Sequence, residues 1–271
     1  MRRGVPIVTA VVNGQPATML LDTGADITVM TPAAAVRLGL ARERRADMAL
    51  AGVSGVMPGA GALARSFALG DAVLPDRIMV VGPLVLPAVD GLPIDGLLGT
   101  SLLSEYDIDL DLPSERMTLY RARPCPGALP AWSGAFTQVA MAGSNWRRLY
   151  VPLQLDGTAL ASLLDTGTSI TTVSRRAALA TGATDDELAR APRVVWARGA
   201  PGGFASRARR FRELRVGGDT RRGPILLVGE LPASAGDALL GGDYLTTRRL
   251  WLSFANGEVF VPDRIGQPRP R

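Results

Sequence analysis

The chain contains no histidine, no lysine and a single cysteine among its 271 residues. Without histidine, the Ser-His and Cys-His nucleophile systems and the histidine-ligated zinc hydrolase sites cannot be built. The single cysteine, Cys125, excludes an internal disulfide and a thiolate metal site, and its proline-rich surroundings favour an ordinary linker thiol. We therefore expect no metal and no cofactor, and chemistry that depends on carboxylates.

Long hydrophobic runs are also missing. No apolar run approaches the roughly 20 residues of a membrane span, and no charged start followed by an apolar stretch indicates a secretion signal. As written, the sequence predicts a cytoplasmic protein without a membrane span. Residues 136–142 read as a strand whose counterpart in the other half of the chain would fall before Met1. This leaves open a longer natural chain with an export signal and a periplasmic or secreted location.

Positive charge is supplied by arginine alone, with 30 arginines against 25 acidic residues and a net charge of +5. Much of the excess lies in residues 198–222, where arginines mostly alternate along a predicted strand. Nucleic-acid binding is an alternative for this stretch, but it has neither an interleaved aromatic platform nor a known binding motif. We favour a solvated strand face and expect no nucleic-acid partner.

The strongest positive signal is an internal repeat. The tetrapeptide Leu-Asp-Thr-Gly occurs at 21–24 and again at 164–167. Residues 21–40 align without gaps on 164–183, with nine of 20 positions identical. A spacing that is kept over so long a segment predicts two copies of one fold.

A second pair of motifs extends the repeat, because a Leu-Leu-Gly element at 97–99 recurs at 239–241. Between the two motifs, each copy has a glycine-rich reversal that can form a mobile hairpin over a cleft. We expect a first lobe at 1–123, a linker at 124–135 and a second lobe at 136–271.

Local signals place the tetrapeptides at the ends of strands. Asn13-Gly14 and Asp156-Gly157 supply the turn residues of two hairpins that lead into them. After each tetrapeptide, Thr31 and Ser174 are the expected N-caps of short helices. Short apolar segments broken by Gly and Pro are otherwise typical of strands. The sequence therefore predicts a mostly β, bilobed protein with two pseudo-symmetric barrel-like lobes and a few short helices.

Two aspartates at equivalent positions suit a shared-proton dyad. Asp22 and Asp165 cannot both ionise easily at hydrogen-bond distance, so one can act as base toward a water while the other polarises a carbonyl; the aspartic-protease dyad is the standard case of this effect. We expect the neighbouring threonines to tie the loops together and the glycines to permit close approach. The loop residues concerned are Thr23, Gly24 and Ala25 in one copy and Thr166, Gly167 and Thr168 in the other.

The two loops differ in one hydroxyl, since Ala25 stands where the second copy has Thr168. A Thr168 hydroxyl that donates to Asp165 would favour its ionised form. On this basis we expect the shared proton to reside mostly on Asp22.

In these motifs the chain resembles the aspartic peptidases, and most closely the retroviral-type (retropepsin-like) branch found in bacteria. The resemblance covers nearly the whole chain and implies an endopeptidase that acts on peptide or protein substrates. Viral members are homodimers, whereas this chain resembles two such units fused in one monomer, as in the bilobed pepsin-like enzymes. A non-catalytic, protease-like module that grips extended peptides is the alternative.

The resemblance also implies substrate-binding residues in the loops and in two flaps. Viral members pair the acidic residue at the position of Asp26 with an arginine that follows the second glycine. Here Thr100 and Gly242 stand at the two equivalent positions, so Asp26 lacks that partner. The more basic second flap is expected to favour acidic substrates. The candidate residues are Asp26 and Ser169 in the loops, Gly52, Val53, Ser54 and Gly55 in the first flap, and Gly199, Ala200, Pro201 and Gly202 in the second.

Overall fold

The computed structural model describes residues 4–52, 55–121, 129–139, 147–196 and 204–262. The protein is mostly β, with two pseudo-symmetric barrel-like lobes and a few short helices, as the sequence predicts. Several residues named above lie outside the described residues: Cys125, Val53, Ser54 and residues 199–202. Within the described residues, no helix has the length and apolar character needed to cross a membrane.

The first lobe is built on a closed barrel of six strands. They are hydrogen-bonded in the order β1-β2-β8-β3-β7-β6, and β6 returns to β1 at Val11 and Val12. β6 is long enough to close the barrel and to extend beyond it as a hairpin with β5. The elements are β1 (Ile7–Val12), β2 (Gln15–Leu21), β3 (Val29–Met30), α1 (Pro32–Arg37), β4 (Ala41–Arg42), a 3-10 turn (Arg44–Ala46), β5 (Met48–Gly52), β6 (Gly55–Leu69), β7 (Ala72–Val81), β8 (Gly96–Leu98) and α2 (Thr100–Leu103).

The second lobe repeats this arrangement, but two of its long strands are interrupted. The strand equivalent to β6 is interrupted at Phe211 and Arg212 and forms β16 and β17, and the strand equivalent to β7 is interrupted at Gly223 and Pro224 and forms β18 and β19. The elements are β12 (Tyr150–Leu155), β13 (Thr158–Leu164), β14 (Thr172–Ser174), α3 (Arg175–Ala180), α4 (Asp185–Arg190), β15 (Arg193–Trp196), β16 (Phe204–Arg210), β17 (Glu213–Val216), β18 (Asp219–Arg222), β19 (Ile225–Gly229), a 3-10 turn (Ala233–Ala235), β20 (Ala238–Leu240) and α5 (Gly242–Leu245).

A third sheet joins the two halves of the chain. Its order is β10-β9-β21-β22-β11, and its central antiparallel pair takes β9 from the first half and β21 from the second. One continuous core of buried apolar side chains runs from both lobes into this sheet. The strands are β9 (Tyr106–Asp111), β10 (Arg116–Arg121), β11 (Phe136–Val139), β21 (Arg249–Ser253) and β22 (Glu258–Pro262).

Turn and cap chemistry at the predicted positions confirms the local analysis. Asn13-Gly14 and Asp156-Gly157 have positive φ at both residues, which is the conformation of the tight hairpin turn that joins the strands of each pair. The side chains of Thr31 and Ser174 accept hydrogen bonds from backbone N–H groups three residues on, at the start of α1 and α3. These features fix where the strands that carry the tetrapeptides begin and end.

Candidate active site

Each aspartate of the repeat follows a buried strand. Asp22 comes directly after β2, and its backbone N–H donates to the carbonyl of Leu98 at 3.0 Å. Asp165 comes directly after β13 and donates in the same way to Leu240 at 3.1 Å. Because β8 and β20 run parallel to these strands, the Leu-Leu-Gly elements lie beside the two loops and hold the backbone that carries each carboxylate.

The glycines that end these elements lie against the same loops. A Cβ atom at Gly99 would lie 2.7 Å from the carbonyl oxygen of Ala25, and one at Gly241 would lie 2.9 Å from the methyl carbon of Thr168. The residue after each glycine, Thr100 or Gly242, donates its N–H to the carbonyl of the loop residue that follows the tetrapeptide, at 2.8 Å in both lobes. A side chain at either glycine would therefore push the loop out of place.

Two threonines tie the loops together across the lobes. The hydroxyl of Thr23 donates to the carbonyl of Leu164 at 2.6 Å, and the hydroxyl of Thr166 donates to the carbonyl of Leu21 at 2.7 Å. Each hydroxyl also accepts the backbone N–H of the other threonine at 3.1 Å. Both residues are buried. This reciprocal set confirms the predicted role of the two threonine hydroxyls.

The two glycines after the threonines bring each loop against the opposite aspartate. A Cβ atom at Gly24 would lie 2.6 Å from the carboxyl carbon of Asp165, and one at Gly167 would overlap the carboxyl group of Asp22. Each glycine N–H also donates to the aspartate of its own loop, at 2.9 and 2.8 Å. The predicted need for close approach is confirmed, and the two carboxylates face each other across the lobe boundary.

Burial makes the pair unequal. Asp165 is 8 % exposed, whereas Asp22 is only partly buried. Desolvation and the neighbouring charge of Asp22 raise the pKa of Asp165 well above its usual range, although the N–H groups of Gly167 and Thr168 act in the opposite direction. A pair in this state can hold one proton between two oxygens, which provides an acid and a base side by side.

The expected role of the Thr168 hydroxyl is wrong. That hydroxyl lies 3.4 Å from the carbonyl oxygen of Ile170 and donates to it, whereas the backbone N–H of Thr168 donates to Asp165 at 3.1 Å. A carbonyl two residues along the same turn competes successfully for a short hydroxyl side chain. The argument that placed the proton mostly on Asp22 loses its premise, and burial instead favours the neutral form of Asp165.

Asp26 has a basic partner from the other lobe, although Thr100 stands where viral members have the arginine. Arg148, which precedes β12 in the second lobe, donates from Nε to one carboxylate oxygen of Asp26 at 2.7 Å and from Nη2 to the other at 2.5 Å. Its third nitrogen donates to the carbonyl of Ser234. Hydrogen bonding to Asp26 raises the pKa of Arg148. No local pattern marks Arg148, because its partner is 122 residues away.

The equivalent position in the second lobe, Ser169, has different surroundings. A Cβ atom at Gly4 would lie 3.4 Å from the Cβ of Ser169, and the carbonyl of Ser169 accepts the N–H of Asp243 at 2.8 Å. The segment at Gly4 thus packs against Ser169, whereas the equivalent residue Asp26 is contacted by the charged side chain of Arg148. The two candidate loop positions therefore differ in both charge and contacts.

Two further residues hold the loops and were missed by sequence reasoning. The Ser101 hydroxyl accepts the N–H of Thr28 at 2.9 Å, and the Asp243 carboxylate accepts both the N–H and the hydroxyl of Thr171 at 2.7 Å. Ser101 and Asp243 each stand two residues after the glycine of a Leu-Leu-Gly element. That shared position is the signal by which they could have been found.

Each predicted flap begins as a hairpin. β5 and β6 pair as far as Gly52 and Gly55, and β15 and β16 pair as far as Trp196 and Phe204. A small apolar cluster, separate from the main core, combines residues of the first hairpin with residues that follow Asp22 in the sequence. Its members are Val29, Leu50, Met57 and Val80, with Ile27 and Leu84 packed against them.

These features are those of a two-lobed acid protease. A family model described as aspartyl protease matches residues 8–102 and again residues 151–244, well over half of the chain. The chain therefore belongs to the aspartyl protease family and contains two copies of the family unit. Among solved structures, the EIAV protease in complex with an inhibitor is similar at 23 % sequence identity and a TM-score of 0.29, over 36 % of this chain and 85 % of that chain. The comparison with curated proteins finds no match.

Proposed function

We propose that this protein is an aspartic endopeptidase whose dyad is Asp22 and Asp165. The observation that carries the proposal is the contact of each loop glycine, Gly24 or Gly167, with the aspartate of the opposite lobe. This arrangement needs both repeats, so one site forms between the lobes of a single chain. We propose a monomer with the lobe boundaries given above, in which neither half is active alone.

The proposed reaction is direct attack by water. The ionised Asp22 takes a proton from the water while the water oxygen attacks the scissile carbonyl carbon. The protonated Asp165 donates its proton to the carbonyl oxygen. The resulting diol returns a proton to Asp165 as the carbonyl re-forms, while Asp22 passes its proton to the leaving amine and the C–N bond breaks. The dyad ends with one proton, as it began, and no covalent intermediate forms.

The proposed substrate is an extended peptide that lies between the dyad and the hairpins. The apolar cluster that includes residues of the first hairpin supports a preference for apolar side chains near the scissile bond. Gly52, Gly55 and Ser169 remain proposed substrate contacts. Asp26 is proposed to shape the site through its backbone, since Arg148 occupies both of its carboxylate oxygens.

The test is cleavage of an unbiased peptide mixture between about pH 3 and pH 7, followed by mass spectrometry. We expect cleavage by the wild type, with at least a thousandfold loss in Asp22→Asn and Asp165→Asn, because either change removes the acid-base pair. Asp71→Asn, at an exposed turn, is the matched control and should retain full activity. A wild type that binds peptides but cleaves none across this range would favour the non-catalytic module instead.

A further inference from the structure

Two arginines face each other at the stem of the second hairpin. Arg193 on β15 and Arg207 on β16 are direct cross-strand partners, so their side chains leave the same face of the hairpin. Like charges at such positions are destabilising. Arg207 donates one N–H to the carbonyl of Ala191 at 3.0 Å, and no described carboxylate forms an ion pair with either guanidinium. Most of their donor groups are therefore available to an incoming anion.

Both arginines line a pocket of about 540 Å³ on the flank of the second lobe. Arg175, from the start of α3, also lines it and is paired with Asp185 at 2.5 Å. The lining further includes two acidic residues, Asp185 and Glu230, so arginines outnumber carboxylates three to two, and apolar groups such as Leu188 and Val228. The volume lies within the range of about 300 to 1,000 Å³ that is typical of ligand sites. An inorganic ion would fill only part of this pocket.

The first lobe shows that the fold does not need these arginines. Ala60 pairs with Val81 in the first lobe as Arg207 pairs with Val228 in the second. The position of Arg193 corresponds to Asp47, whose carboxylate instead binds Arg42 at 2.5 Å. The position of Arg175 corresponds to Pro32. The arginine pocket is thus a property of one lobe, added to a framework that forms without it.

From these observations we infer that the pocket lined by Arg175, Arg193 and Arg207 binds carboxylate side chains of an acidic peptide segment. A guanidinium offers a planar fork that matches a carboxylate, and an anion between two facing arginines removes their mutual repulsion. The apolar part of the lining accepts the aliphatic stem of a glutamate or a neighbouring apolar side chain. If the proposed peptidase function also holds, the pocket recruits acidic protein substrates at a site apart from the dyad.

The binding test uses the Asp165→Asn variant, so that no peptide is consumed. A fluorescein-labelled peptide with two glutamates flanking a leucine is titrated, beside the same peptide with glutamines. We expect binding of the acidic peptide to weaken at least tenfold in Arg193→Gln/Arg207→Gln, and the glutamine peptide to bind at least tenfold more weakly to the parent. Arg222→Gln removes an exposed arginine of the same lobe that lies outside the pocket, and should change binding less than twofold.

Three outcomes would overturn the inference. One is equal binding of both peptides, and another is equal weakening by Arg222→Gln, which would indicate general attraction to the basic lobe. The third is competition by inorganic phosphate at concentrations no higher than those of the acidic peptide, which would indicate a free-anion site. Thermal unfolding shows whether each variant is folded. If the double variant does not fold, the single variants Arg193→Gln and Arg207→Gln test the site.

The consequence for catalysis is measured separately on the active enzyme. With a substrate that carries the acidic segment, Arg193→Gln/Arg207→Gln should raise KM with kcat unchanged, because the pocket does not contact the reacting atoms. If the wild type binds the acidic peptide but cleaves no peptide, the inferred binding pocket is supported and only the peptidase proposal is contradicted.

Discussion

Arg148 and Asp26 form a bidentate ion pair that crosses the lobe boundary beside the loop that carries Asp22. Arg148 belongs to the second lobe, and Asp26 stands four residues after Asp22 in the first. The Arg148 side chain is 15 % exposed and the Asp26 side chain 36 % exposed, so the guanidinium is largely shielded from solvent and the carboxylate is not. Since Ser169 occupies the equivalent position in the second lobe, this connection exists on one side of the dyad alone.

A double-mutant cycle on Asp26→Asn and Arg148→Gln should reveal a coupling energy of about 1 kcal/mol in urea unfolding. The value is modest because the carboxylate remains partly solvated. A cycle on Arg42 and Asp47, a more exposed pair within the first lobe, is the control and should show a smaller coupling. Equal couplings would mean that the connection between the lobes adds nothing beyond a surface pair.

Gly167→Ala should lower kcat/KM by about a hundredfold or more while the protein remains folded. The added methyl group overlaps the carboxyl group of Asp22, and misplacement of a reacting group by about 1 Å can cost that much. Gly218→Ala is the matched control, since no atom lies within 4 Å of the Cβ it would add. Steady-state kinetics measure the effect and circular dichroism reports folding. An active Gly167→Ala would show that the loops are not in close contact.

The raised pKa of Asp165 predicts a pH dependence of stability. Its folded-state pKa lies above the unfolded value of about 3.9, so this group contributes stability that is fully present below that pH and is lost as the pH rises through the folded-state pKa. The free energy of unfolding of Asp165→Asn minus that of the wild type should therefore increase between about pH 4 and neutral pH. Thr168→Ala removes the hydroxyl bound to Ile170 and the methyl group, but it keeps the backbone N–H that donates to Asp165, so it should leave this difference unchanged. A difference independent of pH would contradict the argument.

A buried ion pair in the second lobe should be costly to break. Arg248, whose side chain is 5 % exposed, donates to Asp219 at 3.0 and 2.6 Å and stacks 3.5 Å above the ring of Tyr244. Burial raises the pKa of Tyr244 to about 12, so its hydroxyl stays neutral beside Asp219. We expect Arg248→Met to lower the free energy of unfolding by about 3 kcal/mol, because it removes the guanidinium that neutralises the partly buried carboxylate.

Asp219→Ala in the Arg248→Met background should recover part of that loss, since it removes the carboxylate charge that the guanidinium no longer neutralises. The first lobe supports this expectation, because Ala72 and Tyr106 stand at the equivalent positions and pack in an apolar environment. Denaturant titration of the three variants provides the comparison. A double variant less stable than Arg248→Met would show that Asp219 has an independent structural role.

Much of the dyad could be predicted because its determinants are local and occur twice. The turn residues Asn13-Gly14 and Asp156-Gly157 define two hairpins. In each copy the Leu-Asp-Thr-Gly tetrapeptide begins at the last residue of the second hairpin strand. In such a loop a threonine hydroxyl can hydrogen-bond the neighbouring backbone, and a glycine permits close approach because it has no Cβ. Both roles could therefore be predicted from residue type. Two copies at matched spacing then indicated one shared site.

From the amino-acid sequence we could predict the two-lobed β architecture, the pairing of the repeats and the two candidate aspartates, because hydrophobic period, turn chemistry and repetition are properties of neighbouring residues. The three-dimensional structure was needed to show that Arg148 binds Asp26, that the Thr168 hydroxyl donates to a carbonyl rather than to Asp165, and that Arg193 faces Arg207. Each of these depends on which of several nearby groups a side chain reaches. That choice is set by strand register and loop packing between distant segments, where differences of an ångström select the partner.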